Sequence, residues 1–274
     1  MSNKTNLLVP IDFTEVTENA FTFALDIAKD HHTSIILLHI VSYPTDRLEA
    51  EQKLKNLINK HVKDNEVEVD FRVVIGKVLT DIGIIADSIG VDLIIMGTHS
   101  TSIWQKIFGS PAMSVVSNSS VPFVLIQKKT DFSKINTIVM TLDMAVETTQ
   151  VVRHAARFAK IFHSKLYLVA RNYTDELLRK NIHVNLIIVN DYLQKNNLEM
   201  EIKLLDDKDF EKALVDFCKE VNANLLAATY YKETFQMFSS NIVQELAENN
   251  LGIPVLTYNG EDSSIPSNFG FITT

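Results

Sequence analysis

Short apolar runs alternate with segments of helical periodicity along the first half of the chain. The continuous apolar run Leu7–Ile11 is typical of a strand covered on both faces, and small or apolar residues then recur at helical spacing from Ala20 to Ala28. Because strands that alternate with helices form parallel sheets, the pattern predicts an α/β fold with helices on both faces of a five-stranded sheet. The other predicted strands are Ser34–Val41, Val67–Ile75, Asp92–Met96 and Val121–Gln127, and the other predicted helices are Arg47–Val62, Ile82–Ser88 and Pro111–Asn118.

The chain carries this plan twice. Residues 5–41 align with residues 135–171, and later segments match in the same order at a nearly constant offset of about 130 residues, an ordinary size for one domain. The sequence therefore predicts two similar domains, at residues 1–128 and 135–260, followed by a polar tail at residues 261–274. Each domain is expected to be a doubly wound, Rossmann-like parallel sheet with the strand order 3-2-1-4-5.

A candidate ligand site follows from that strand order. In such sheets, ligands bind beyond the carboxyl ends of strands one and four, where the strand order reverses. That position brings Pro10, Ile11 and Asp12, at the end of strand one, beside the loop that begins at Gly97. Asp12 is a candidate partner for a ribose hydroxyl or for a metal ion beside phosphates.

The loop "MGTHSTSIWQKIFGSP" at residues 96–111 has features of a phosphate-binding segment. We expect Gly97 to turn the backbone sharply off the strand, and Ser110 followed by proline to begin a helix. Free N–H groups at that helix start and the hydroxyls of Ser100 and Ser110 suit a phosphate chain, and His99 is a candidate lining residue. The alternative is that glycine and serine serve here only as turn and cap residues.

The composition of the chain indicates which kinds of partner and which cellular compartment are expected. The formal net charge is −8 and the basic residues are scattered, so a nucleic-acid partner is not expected. The single cysteine, Cys218, suits a reducing compartment. No apolar run approaches the length of a membrane span, and the first residues do not resemble a signal sequence. We therefore expect a cytoplasmic protein without a membrane partner.

The sequence offers no constellation of catalytic or metal-binding residues. Serine, histidine and acidic residues do not occur in a recognisable order for nucleophilic catalysis, and no histidine pair has the spacing of metal ligands. We therefore predict that the protein is not an enzyme and has no metal site of its own.

Three segments resemble the universal stress protein family: "LLVPIDFTEVTENAFTFALDIAK", "IILLHIV" and "DLIIMGTHSTSIWQKIFGSPAMSVVSNSSVPFVLIQ". The resemblance covers the first repeat from end to end and the second more faintly, so the chain resembles a tandem member. It implies a stress-response protein whose two sheets pair through their fifth strands, Val121–Gln127 and Ile253–Tyr258. Beyond this internal pseudo-dimer, a homodimer and an unknown protein partner stay open as alternatives.

Family members that bind ATP carry Gly-x2-Gly-x9-Gly-Ser/Thr after strand four. Gly97 and the pair Gly109-Ser110 match this motif, whereas Ser100 replaces the middle glycine and the segment is one residue shorter. The resemblance implies that ATP, with Mg²⁺, binds in the first repeat as a signal or structural ligand. The contacts it implies are Pro10, Ile11, Asp12, Val41, Gly97, His99, Ser100, Gly109 and Ser110.

The second repeat lacks this motif. Its segment "ATYYKETFQMFSSNIVQ" contains no glycine, and Thr229 stands at the position of Gly97, so phosphate binding is not expected there. The rival hypothesis for the whole chain is a nucleotide-free module that presents its surfaces to a protein partner.

Overall fold

A computed structural model describes residues 5–29, 33–63, 67–98, 115–126, 135–143, 148–206, 208–230 and 252–260. The strands are β1 (Thr5–Pro10), β2 (Thr33–Val41), β3 (Glu68–Ile75), β4 (Leu93–Gly97), β5 (Phe123–Ile126), β6 (Thr137–Leu142), β7 (Lys165–Asn172), β8 (Met200–Asp206), β9 (Leu225–Tyr230) and β10 (Val255–Asn259). The α-helices are α1 (Glu15–Lys29), α2 (Arg47–His61), α3 (Val78–Ile89), α4 (Thr148–Phe162), α5 (Glu176–Lys195) and α6 (Phe210–Glu220), with a short 3-10 helix at Pro44–Asp46.

The strands form one ten-stranded sheet in the order β3-β2-β1-β4-β5-β10-β9-β6-β7-β8. The first half, β1 to β5, has the predicted order 3-2-1-4-5 with parallel pairing throughout. The second half, β6 to β10, repeats that order in the opposite direction across the sheet. The two similar doubly wound halves that the sequence predicts are confirmed.

The halves meet through their fifth strands, as the family resemblance implies. Strands β5 and β10 are antiparallel, with Leu125 opposite Val255 and Val124 opposite Leu256. This pairing makes the sheet continuous and places the edge of each fifth strand inside the molecule. The exposed edges of the sheet are therefore β3 at one end and β8 at the other.

The hydrophobic core forms one layer on each face of the sheet. Leu7 and Val9 pack on the face that carries α1, α2, α4 and α5, whereas Leu8 packs on the face that carries α3 and α6. A strand buried on both sides needs an apolar residue at every position, which explains the continuous apolar run of β1. The edge strands β3 and β8 are instead largely exposed.

Several element boundaries differ from the predicted ones. Helix α3 begins at Val78, four residues before the predicted start. It ends at Ile89 and is capped by Gly90, whose φ of 73° is left-handed. Strand β5 is shorter than predicted, and β10 begins and ends later. Of the predicted helix at residues 111–118, the structure describes residues 115–118, of which 115–117 are helical. The predicted domain boundaries stay predictions, since residues 127–134 and 261–274 are not described.

Candidate functional site

The strand order reverses at β1, which pairs with β2 on one side and with β4 on the other. The parallel register sets Leu8 opposite Ile94, so the two strands end at the same edge of the sheet. Ile11 and Asp12, which follow β1, are thereby placed beside the end of β4 at Gly97. This edge is the position at which doubly wound sheets bind ligands.

The structure brings the described members of the predicted site to this edge: Pro10, Ile11, Asp12, Val41 and Gly97. Val41 ends β2, one strand away from Asp12; its side chain is buried, and its carbonyl accepts a hydrogen bond from the Gly76 N–H at 3.1 Å. The remaining predicted contacts, His99, Ser100, Gly109 and Ser110, lie outside the described residues.

Asp12 organises the start of α1. Its Oδ1 accepts hydrogen bonds from the Thr14 N–H at 3.0 Å, the Thr14 hydroxyl at 2.5 Å and the Thr17 hydroxyl at 2.9 Å. This is an Asx-turn that leads into the helix, and it fixes the carboxylate at the end of β1. The Asp-x-Thr-x-x-Thr spacing is visible in the sequence and is the signal by which this role could be predicted.

The turn after Asp12 is held against β2. Phe13 has a φ of 65°, in the left-handed region that a bulky residue seldom adopts. Its ring lies 4.7 Å from the His39 ring, and His39 Nδ1 lies within hydrogen-bonding distance, 2.7 Å, of the Ile11 carbonyl oxygen. The Lys53 Nζ of α2 lies 5.7 Å from the centre of the Phe13 ring. Sequence reasoning did not identify Phe13 or Lys53, which add an aromatic ring and a cation to this edge.

Gly97 has a different role from the predicted one. We expected it to turn the backbone off the strand, but it is paired with Ile126 as the last residue of β4, and its φ is not in the left-handed region. A Cβ at residue 97 would lie 2.7 Å from the Val16 carbonyl oxygen. The glycine therefore allows the first turn of α1 to approach the end of β4. The chain continues in the strand direction, because the Thr98 N–H donates to the Ile126 carbonyl at 2.8 Å.

At the corresponding edge of the second half, two side chains donate to the backbone just after β6. The Asn185 amide of α5 is 1% exposed and donates to the Asp143 carbonyl at 2.8 Å, just after β6. Thr148 reaches the same carbonyl oxygen at 3.3 Å, and Thr229, at the position of Gly97, is buried. The two edges thus differ in their side-chain contacts, although the two halves have the same strand order.

The single cysteine of the chain has a packing role. Cys218 is buried in α6, and desolvation raises its pKa to about 12, so the thiol stays protonated in neutral solution.

Within the described ranges, no group of three His, Cys, Asp or Glu side chains is arranged to hold a metal ion. No described helix combines the length and the hydropathy needed to cross a membrane.

Known proteins resemble both the first half and the whole chain. Residues 4–127 match the universal stress protein family. Universal stress protein MJ0577 of Methanocaldococcus jannaschii is 34% identical over 82 residues, which cover 30% of this chain and 50% of that protein. This chain therefore matches half of the length of that curated relative.

Two solved structures share the fold along nearly the whole chain. A universal stress protein from Archaeoglobus fulgidus superposes with a TM-score of 0.75 at 15% identity, covering 94% of this chain and 99% of that one. The functionally unknown protein PA1789 from Pseudomonas aeruginosa gives a TM-score of 0.64 at 12% identity, covering 94% and 93%. At these identities the likeness establishes the fold. The first half of the chain therefore matches the universal stress protein family, and the second half repeats the same strand order in tandem.

Proposed function

We propose that the first half binds an adenine nucleotide, ATP with Mg²⁺, as a signal or structural ligand of a stress-response protein in the cytoplasm. One observation carries the proposal: the strand order reverses at β1, which sets Asp12 beside Gly97 at the edge where the candidate phosphate loop begins. Ligand binding at such a reversal is the general rule for this architecture.

The nucleoside part is assigned to the end of β1 and to the backbone near Val41. Three donor groups on Thr14 and Thr17 fix the orientation of the Asp12 carboxylate. Holding it in place therefore costs little entropy when a ribose hydroxyl or a metal ion beside the phosphates binds it. The Phe13 ring lies at the same edge and suits a base. The Lys53 ammonium group beside it is paired with Glu49 at 2.6 Å and would have to exchange that partner to bind an anion. When bound, Mg²⁺ would offset the charge of the phosphate chain.

The phosphates are assigned to the loop after β4, through Gly97, His99, Ser100, Gly109 and Ser110. The backbone N–H groups and the serine hydroxyls supply the donors there. No general base is assigned among these residues, so the proposal is binding without turnover.

A single site per chain is proposed. At the corresponding edge of the second half, Asn185 and Thr148 both donate to the Asp143 carbonyl. The segment that follows β9 has no glycine. A second nucleotide would have to displace a buried amide hydrogen bond, which is unfavourable.

The second candidate function is a nucleotide-free interaction module. It is favoured by the observation that Asp12 and Gly97 both have structural roles, in the Asx-turn and in the approach of α1 to β4. Neither residue needs a ligand to explain its presence.

Calorimetric titration of the full chain with ATP and Mg²⁺ separates the two functions. The nucleotide proposal expects about one site per chain and the loss of that heat in Gly109→Leu, because a side chain fills the approach of the phosphates. Ser239→Leu is the matched control at the corresponding position of the second repeat and should leave the heat unchanged. Absence of heat at millimolar ATP would reject the nucleotide proposal and favour the module.

A further inference from the structure

Helix α5 exposes a row of large apolar side chains on its outer face. Leu177 is 71% exposed, Val184 54% and Ile187 57%, and Ile188 lies beside them at 44%. The opposite face of the helix is buried against the sheet through Ile182, Asn185, Val189 and Leu193. The helix is therefore apolar on both sides, although only one side contacts the rest of the described chain. Exposed apolar rows of this kind mark interaction surfaces.

The exposed residues recur with the spacing of a coiled coil. We name as the outer stripe the six residues Leu177, Lys180, Val184, Ile187, Asp191 and Gln194. Their separations alternate between three and four residues, which are the intervals of the a and d positions of a heptad. All six are exposed, and together they run almost the whole length of the helix, about 30 Å at the usual rise per residue. The outer stripe is thus suited to packing against another straight helix.

The first half offers an internal comparison. Helix α2 occupies the same place in the fold, after the second strand of its half, yet its exposed residues include Glu49, Gln52, Lys53 and Asn56. Leu48 is an isolated apolar residue at its first turn. The apolar row is therefore a property of α5 and not a requirement of the shared fold.

The charged residues of the outer stripe favour a second copy of α5 as the partner, in an antiparallel orientation. Lys180 and Asp191 are placed symmetrically about the midpoint of α5, as are Glu176 and Lys195 at its ends. A second α5 packed antiparallel about that midpoint would set Lys180 opposite Asp191 of the other copy, and Val184 opposite Ile187. A parallel arrangement would instead oppose like charges, which is unfavourable.

We propose that this protein forms a two-fold symmetric homodimer through the outer stripe of α5, with the two helices antiparallel. The fifth strands are already paired within the chain, so they are not available for assembly. Each copy contributes the same surface, as an isologous interface requires. The ion pairs within each helix, Glu176 with Lys180 at 3.1 Å and Asp191 with Lys195 at 2.7 Å, would lie beside their counterparts and form a network across the interface.

Light scattering after gel filtration tests the proposal on the full chain. The wild type should elute as a dimer of twice 31.0 kDa at micromolar to tens of micromolar concentration. Val184→Glu/Ile187→Glu should be monomeric with unchanged circular dichroism, because both positions are exposed in the folded chain. Leu48→Glu, the matched change on α2, should leave the dimer intact.

A charge exchange tests the direction of packing. Lys180→Glu should raise the dimer dissociation constant by about tenfold or more, since it would face Asp191 of the other copy. Lys180→Glu combined with Asp191→Lys should restore dimerisation. If the double exchange is as weak as the single change, the antiparallel register is wrong.

Cysteine crosslinking tests the central contact. An oxidised mixture of Val184→Cys and Ile187→Cys chains should give more crosslinked dimer than either variant alone, because these positions face each other in the proposed pair. The native Cys218 is buried and contributes little background. A monomer at all concentrations up to hundreds of micromolar would overturn the proposal. So would a dimer that survives Val184→Glu/Ile187→Glu but is lost in Ile202→Lys, since that result would place the contact at the β8 edge.

Discussion

The His154 ring of α4 lies 5.4 Å from the Tyr258 ring of β10, with the ring planes 33° apart. Burial lowers the pKa of His154 to about 4, and the neighbouring charges of Arg157 and Arg153 act in the same direction. The neutral imidazole is therefore the form that the folded protein holds against the fifth strand of the second half.

We expect the stability of the protein to fall as the pH is lowered from about 6.5 towards 4. In this window the unfolded chain binds a proton at His154 and the folded chain does not, so the free energy of unfolding decreases by at most about 1.4 kcal/mol per pH unit. Urea unfolding at pH 7 and pH 5 measures the loss. His154→Gln should lose less stability than the wild type over this interval. Parallel losses in both proteins would show that His154 is not the titrating group.

Gly97→Ala should destabilise the fold by about 1 to 3 kcal/mol, as overpacking at a rigid contact does. The added Cβ would meet backbone atoms of Val16, which cannot move without shifting α1. Gly90→Asn is the control, since residue 90 faces open space and asparagine tolerates its left-handed backbone. Unfolding by urea measures both changes. An unchanged midpoint for Gly97→Ala would contradict the close approach of α1 to β4.

Substitutions of Asp12 should separate its structural role from its proposed role in binding. Asp12→Ala removes the acceptor of three hydrogen bonds and should cost about 1 kcal/mol of stability, in the range of a lost helix cap. Asp12→Asn keeps an acceptor at Oδ1 and should unfold close to the wild type. If the Asp12 carboxylate contacts the nucleotide or its metal ion, Asp12→Asn should still weaken the calorimetric signal for ATP. Equal ATP affinity in the wild type and in Asp12→Asn would mean that Asp12 has only its structural role in the turn.

Ser100→Gly should tighten nucleotide binding. Serine disfavours a positive φ and adds bulk where the family motif has glycine, and a cost of about 1.4 kcal/mol corresponds to about a tenfold change in affinity. The titration that measures the wild type also measures this variant, with Ser102→Gly as a neighbouring control. An affinity that falls in Ser100→Gly would mean that the serine hydroxyl is itself a ligand of the phosphates.

The alternation of strands and helices could be predicted from the apolar runs, and the strand order from the usual order of doubly wound sheets. The internal pairing of the fifth strands was predicted from the repeat together with the family resemblance. The role of Gly97 could not, since it depends on Val16, a residue distant in sequence that meets Gly97 only in the folded chain. The Asx-turn of Asp12 could have been predicted, because its three donor groups belong to Thr14 and Thr17, which are close in sequence. The outer stripe of α5 was harder to foresee. The periodicity of apolar residues identifies the apolar faces of a helix. When a helix has two such faces, the sequence does not show which of them packs on the sheet.

The antiparallel junction of β5 and β10 has a consequence for how the two halves can diverge. In a dimer of identical single-domain chains, any change at one ligand edge appears at the other as well. Covalent linkage makes the junction intramolecular and independent of protein concentration, and it lets the halves carry different residues at equivalent positions. The second half can thus have Thr229 where the first half keeps Gly97, and it can present apolar residues on α5. The second half can therefore serve as a structural support and as a contact surface for the first half.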